Sequence, residues 1–118
     1  PKKIEESKVK EVEEIIDAIE KELPPIHSFF ISGGTELAAT FDIARTIARR
    51  AERKVVKVNE FASVEVSAEP KTLAETGGSQ KVSEYSLAYL NRISSILYAL
   101  ARLSNHKAGL KEEAPSYR

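Results

Sequence analysis

Apolar side chains recur every three or four residues in three separate stretches of this chain, and that period rather than strict alternation sets its fold class. In the first stretch Val9, Val12, Ile15, Ile16, Ile19 and Leu23 fall on one helical face, with Glu and Lys opposite. The spacing predicts a helix over 3–23. Pro24 and Pro25 stop it, because neither can donate the helical hydrogen bond and Pro25 disfavours a helical conformation at Pro24. In the last stretch Leu87, Leu90, Ile93, Leu97 and Leu100 keep the same period, which predicts a helix over 83–105 with Ser83 as N-cap. Gly109 follows closely enough to help end it. Asn91, Ser94, Ser95 and Tyr98 form a polar stripe beside the apolar face. Asn is a poor residue for a helix interior. Asn91 therefore makes either a helix-to-helix amide contact or a hydrogen bond at a site.

The middle stretch carries most of the chemistry. It enters through Gly33-Gly34, takes Thr35 as N-cap and predicts a helix over 35–58. Ala44, Ala48, Ala51 and Val55 give it a narrow small-residue stripe, which predicts a central place in a bundle. Arg45, Arg49 and Glu52 lie at i, i+4 and i+7 and project from one face. Two arginines one turn apart repel each other. Glu52 can offset one positive charge, but not all of Arg45, Arg49, Arg50, Arg53 and Lys54. Either this face lies open to water, or it meets an anion or a partner's carboxylate.

The connections are less regular. Phe29 and Phe30 sit together between the first two helices, where loops usually run over the surface. They are either core residues packed under the loop or an aromatic wall for a flat ligand. The segment 59–82 breaks the helical pattern: Phe61, Val64 and Val66 suggest a short extended piece, while Pro70 and Gly77-Gly78 are loop signals. The expectation is one long mobile loop over 59–82, or a cover over a site.

The three amphipathic helices imply an all-α helical bundle in a single domain, 1–118. Three narrow stripes bury limited area, so oligomerisation or further helices are expected to complete the core. Lys+Arg and Asp+Glu number 18 each, and the resulting net charge of zero argues against general nucleic-acid binding. There is no cysteine and there are only two histidines, His27 and His106, so no disulfide, thiolate metal site or histidine-rich metal site is expected. No apolar run reaches the roughly 18 residues that span a bilayer. The composition suits a cytoplasmic protein. Methionine is absent even at the first position, which makes a fragment, a processed chain or part of a longer one the expected reading.

Three segments together bear a resemblance: FFISGG, ARTIARRAERKVV and YLNRISSILYALAR. They resemble the C-terminal half of the PduO-type ATP:cob(I)alamin adenosyltransferases. The most specific parts are the arginine run Arg45 to Arg53 and the Tyr-Leu-Asn-Arg-x-Ser segment Tyr89 to Ser94. The resemblance implies a five-helix ferritin-like bundle, assembled as a homotrimer with sites between subunits. It implies transfer of the 5′-deoxyadenosyl group of ATP, with Mg2+, to the cobalt of reduced cobalamin, with release of triphosphate. A corrinoid reductase or an adenosylcobalamin-dependent enzyme would be a partner. By motif, Arg45 and Arg49 would contact ATP or pair across a subunit interface, and Glu52 would orient that group. Asn91 would hydrogen-bond the nucleotide, Arg92 would support the site, and Phe29 would lie against the lower face of the corrin. Departures accompany the match. The family's N-terminal phosphate loop, with its lysine, and its first two helices have no counterpart here, and Ser32 and Ser95 stand where the family usually has Pro and Asp.

The alternative to the enzyme is a non-catalytic helical oligomerisation or anion-binding module, its arginines paired with a neighbour's glutamates. A basic helix reading nucleic-acid phosphates is a third possibility, disfavoured because aromatic residues do not interleave with the basic face.

Overall fold

The computed structural model describes residues 3–25, 31–68 and 82–110, without side-chain surroundings over 62–68. Helix α1 spans Glu6–Glu22, α2 spans Glu36–Ala68 and α3 spans Glu84–Lys107, and no strand occurs among the described residues. The architecture is an all-α bundle, as the hydrophobic period predicts.

Local chemistry explains most of the boundaries. Leu23 ends α1 in an extended conformation immediately before the two prolines. Thr35 caps α2: its Oγ1 accepts from Ala38 N–H at 3.1 Å, satisfying one of the unpaired donors of the first turn. Ser83 does the same for α3, accepting from Ser86 N–H at 3.1 Å. At the other end of α3, Gly109 adopts φ +78. Its N–H donates to His106 O at 3.0 Å and Leu110 N–H donates to Asn105 O at 3.0 Å, closing the last carbonyls of the helix.

Two expectations are corrected. Helix α2 does not stop at 58 but continues to Ala68, so Phe61, Val64 and Val66 are helical rather than extended. The first residue that must break this helix is Pro70, two positions beyond its end. Alternating valines mimic a strand over so short a window, whereas the helix already running supplies its own propagation. The remainder of the expected loop, 69–81, lies outside the described residues. Asn59 on α2 meets the residue ahead of the α3 N-cap: its Oδ1 accepts from Val82 N–H at 2.7 Å and its Nδ2 donates to Val82 O at 3.3 Å.

Among the three described helices it is α3, not α2, that has a neighbour on both sides. Helix α3 packs against both α1 and α2, while α1 and α2 make no direct packing contact among the described residues. Being covered on two sides, α3 buries small residues most deeply: Ser94, Ala99 and Ala101 are all 5 % exposed or less. Its leucines are half-buried at the flanks. On the α1 side Ile19 and Leu23 meet Ala99, with Ile96, Leu100 and Leu103 around them. Val9, Val12 and Ile16 continue that buried stripe, each such burial contributing roughly 1.5–3 kcal/mol. Ile15, expected in it, is 46 % exposed. Of the small-residue stripe of α2, Ala44, Ala48 and Val55 are half-buried while Ala51 is exposed, and Ile43, Ile47 and Val58 are exposed as well.

Candidate active site

The α2–α3 seam brings the predicted polar residues together. Asn91 Nδ2, on α3, donates to Glu52 Oε2, on α2, at 3.2 Å. Asn91 Oδ1 accepts from Arg92 Nη1 at 2.8 Å. Arg92 reaches the other way through Nε, which lies 2.7 Å from Glu13 Oε1 on α1 as a hydrogen bond and ion pair. A continuous polar chain therefore crosses all three helices: Glu13, Arg92, Asn91, Glu52.

Beside it a cleft of about 320 Å³ is lined by Arg49, Glu52, Arg53, Val56 and Asn91. Arg49 and Arg53 are exposed, and neither forms an ion pair within the described residues. One wall thus offers two guanidinium groups, each a fork of donors suited to phosphate oxygens. The same cleft holds a carboxylate from α2 and a carboxamide from α3. One turn before Arg49, the Arg45 guanidinium carbon lies 5.2 Å from the centroid of the Tyr98 ring. That stacking holds Arg45 toward α3, half-buried, with about 0.5–1 kcal/mol of cation–π attraction.

Of the predicted site residues, Arg49, Glu52 and Asn91 line one cleft. Arg45 flanks it over Tyr98. Arg92 does not line it and instead braces Asn91 from behind. Phe29 lies outside the described residues. Sequence reasoning missed Arg53, Glu13 and Tyr98. Arg53 was legible, because it follows Arg49 by one turn. Tyr98 was noticed only as part of a polar stripe. Glu13 carried no signal, being one of several glutamates on the polar face of α1.

The glycine turn ahead of α2 forms a second cluster. Asn105 Nδ2 donates to Gly33 O at 2.6 Å, and its Oδ1 accepts from Thr35 N–H at 3.0 Å and Thr35 Oγ1 at 3.1 Å. Gly33 N–H donates to Asp42 Oδ2 at 2.7 Å. The turn is fastened to the end of α3 and to the second turn of α2. No anion-binding role is needed to explain its glycines.

Comparison with known proteins bears on the family and the fold. A family model described as cobalamin adenosyltransferase matches residues 1–104. The chain is 35% identical over 108 residues to the corrinoid adenosyltransferase of Bacillus subtilis (strain 168), covering 92% of this chain and 47% of that one. It is 35% identical over 105 residues to the corrinoid adenosyltransferase PduO of Citrobacter freundii, covering 89% and 26%. Among solved structures it resembles a Phe-to-Ala variant of a PduO-type ATP:corrinoid adenosyltransferase from Lactobacillus reuteri complexed with cobalamin and ATP. That match has a TM-score of 0.70 at 28% identity and covers 95% of this chain and 51% of the other. An Arg-to-Lys variant from the same organism, complexed with ATP, matches with a TM-score of 0.73 at 27% identity, over 100% and 55%. The three helices are those of an adenosyltransferase-type bundle. The chain belongs to the cobalamin adenosyltransferase family. It spans about half the length of the Bacillus relative and of both structures.

Proposed function

We propose that this chain is the arginine-bearing half of an ATP:corrinoid adenosyltransferase, which transfers the 5′-deoxyadenosyl group of ATP to the cobalt of a reduced corrinoid such as cob(I)alamin. The observation that carries the reading is the cleft between α2 and α3, where two guanidinium groups with no ion-pair partner among the described residues share the lining with the Glu52–Asn91 pair. In the reaction the cobalt electron pair forms the bond to C5′ while the C5′–O bond breaks, and triphosphate leaves with that bond's electrons. Arg49 and Arg53 stabilise the charge that gathers on the leaving group, a role best filled by fixed cationic donors. Arg45, stacked on Tyr98, is a third cation for the nucleotide or for a subunit contact. Asn91 and Glu52 orient the nucleotide, and Phe29 walls the lower corrin face, where a dry aromatic surface keeps ligands off the metal. Mg2+ arrives with ATP, held by the phosphates; the described residues present no group of three or more His, Cys, Asp or Glu to hold a metal.

The family match favours this reading over a non-catalytic module. The protein works as a homotrimer in the cytoplasm, with a corrinoid reductase or an adenosylcobalamin-dependent enzyme as partner. The exposed apolar row Ile43, Ile47 and Val58 supports a further packing surface, and no described helix is long and apolar enough to cross a membrane. The test is an anaerobic assay of the intact protein with ATP and chemically reduced cobalamin. Adenosylcobalamin should appear in the absorption spectrum with stoichiometric triphosphate. An intact, folded protein that binds ATP no better than buffer controls would sink the proposal. A stable monomer by light scattering would remove the trimer but not the chemistry.

A further inference from the structure

The geometry points to Glu13 as a positioning residue for the nucleotide cleft, acting through Arg92 to fix which way the Asn91 carboxamide faces; this rests on the nucleotide reading of that cleft. The argument begins with the amide. A carboxamide has one accepting and one donating end, and turning it over exchanges them. In the observed orientation the oxygen accepts from Arg92 Nη1 and the NH2 donates to Glu52. Turned over, the NH2 would face a guanidinium that only donates, and the oxygen would face a carboxylate that only accepts. Both contacts would be lost together. The orientation is therefore set by Glu52 together with Arg92, whose Nη1 must stay where it is to hold the oxygen end.

Arg92 has a long, flexible stem, and its position must be held by something. Glu13 does this through the 2.7 Å contact to Nε. Nε and Nη1 lie in one rigid guanidinium plane, so pinning the first aims the second. The contact joins α1 to α3 across 79 positions of sequence. Among the described residues α1 packs on α3 and not on α2, and the polar chain joins its Glu13 to the cleft. The pair is part-exposed, at 35 % and 41 %, so its bearing is on geometry rather than on fold stability, where exposed ion pairs contribute little. A second cleft of about 260 Å³ lies around this contact and also includes Asp17 and Glu20. Asp17 is a matched control: an acid in the same cleft, one turn from Glu13, without a contact to Arg92.

The test uses the intact protein and two readouts. The first is the side-chain amide pair of Asn91 in nitrogen-15 NMR, which needs no ligand. Glu13→Ala should move and narrow this pair toward the values of a free amide, Glu13→Gln should move it less, and Asp17→Asn should leave it in place. The second is ATP affinity by calorimetry. Glu13→Ala should weaken ATP by about tenfold, the size of losing one well-placed charge-assisted contact, with KM for the corrinoid unchanged. On an Asn91→Ala background the same substitution should weaken ATP no further, because its route is gone. An unmoved Asn91 amide, or additive losses in the double variant, would overturn the proposal. Wild-type protein that binds no ATP would instead overturn the nucleotide reading, and the NMR result would still judge the Glu13–Asn91 link.

Discussion

Gly34 and Asn105 approach so closely that a Cβ on Gly34 would stand 2.6 Å from Asn105 Oδ1 and 2.8 Å from its Nδ2. The far end of a side chain can usually swing aside. This one cannot do so freely, because the same two atoms hold Gly33 O, Thr35 N–H and Thr35 Oγ1. Gly34 also has φ +106, a conformation that L side chains rarely adopt. Gly34→Ala should therefore destabilise the protein by about 1–3 kcal/mol, the cost of a residue forced into a sparsely populated backbone region. Thermal melting should fall by at least about 5 °C. Gly33→Ala separates the two causes: its φ is +94 but its Cβ would meet open space, so it should cost less. Equal losses would show that the Asn105 contact is immaterial.

Arg49→Ala should damage activity more than fold. The side chain is exposed, lines the cleft and has no ion-pair partner among the described residues, so its removal opens no core cavity. Transfer should slow by at least about tenfold, or roughly 1.4 kcal/mol of transition-state stabilisation, with melting little changed. An unfolded variant whose folded fraction binds nucleotide normally would make the arginine structural.

Ser94 is 5 % exposed, and its Oγ has no hydrogen-bond partner among the described residues. A buried hydroxyl left unsatisfied costs about 1–3 kcal/mol. Ala fits the same space without that cost. Ser94→Ala should then raise the melting temperature of the intact protein by a few degrees and leave ATP affinity alone. A lower melting temperature would mean that the hydroxyl has a partner after all, in the assembled protein.

The fold class was readable because hydrophobic period is a local property, and α1 and α3 end close to where prolines and caps place them. Arg49, Glu52 and Asn91 were readable as a group because family motifs join them, and the arginine face alone left open whether it faces water, an anion or a partner's carboxylate. What escaped was relational. The end of α2 was misjudged because Val64 and Val66 alternate over a window too short to outweigh a helix already formed. The central place of α3 depends on two faces being covered at once, which no single stripe reveals. Glu13 is one glutamate among several on its face, and only the 79-residue reach to Arg92 sets it apart.

The sharpest test of the cleft uses the Asn91–Glu52 contact itself. Asn91→Asp changes few atoms but turns the donor into an acceptor facing the Glu52 carboxylate, where 3.2 Å separates the present pair. Two carboxylates at that distance repel, and the added negative charge stands beside the wall meant for phosphates. ATP affinity should therefore fall further in Asn91→Asp than in Asn91→Ala, where the donor is simply lost. Glu52→Gln placed on the Asp background should recover part of the loss, because the glutamine NH2 can donate to the new carboxylate and one charge is removed. Calorimetric titration with ATP of Asn91→Asp, Asn91→Ala and the double variant decides the matter. If Asn91→Asp binds ATP as well as wild type does, Asn91 does not present its donor to the nucleotide, and the cleft owes its affinity to the arginines alone.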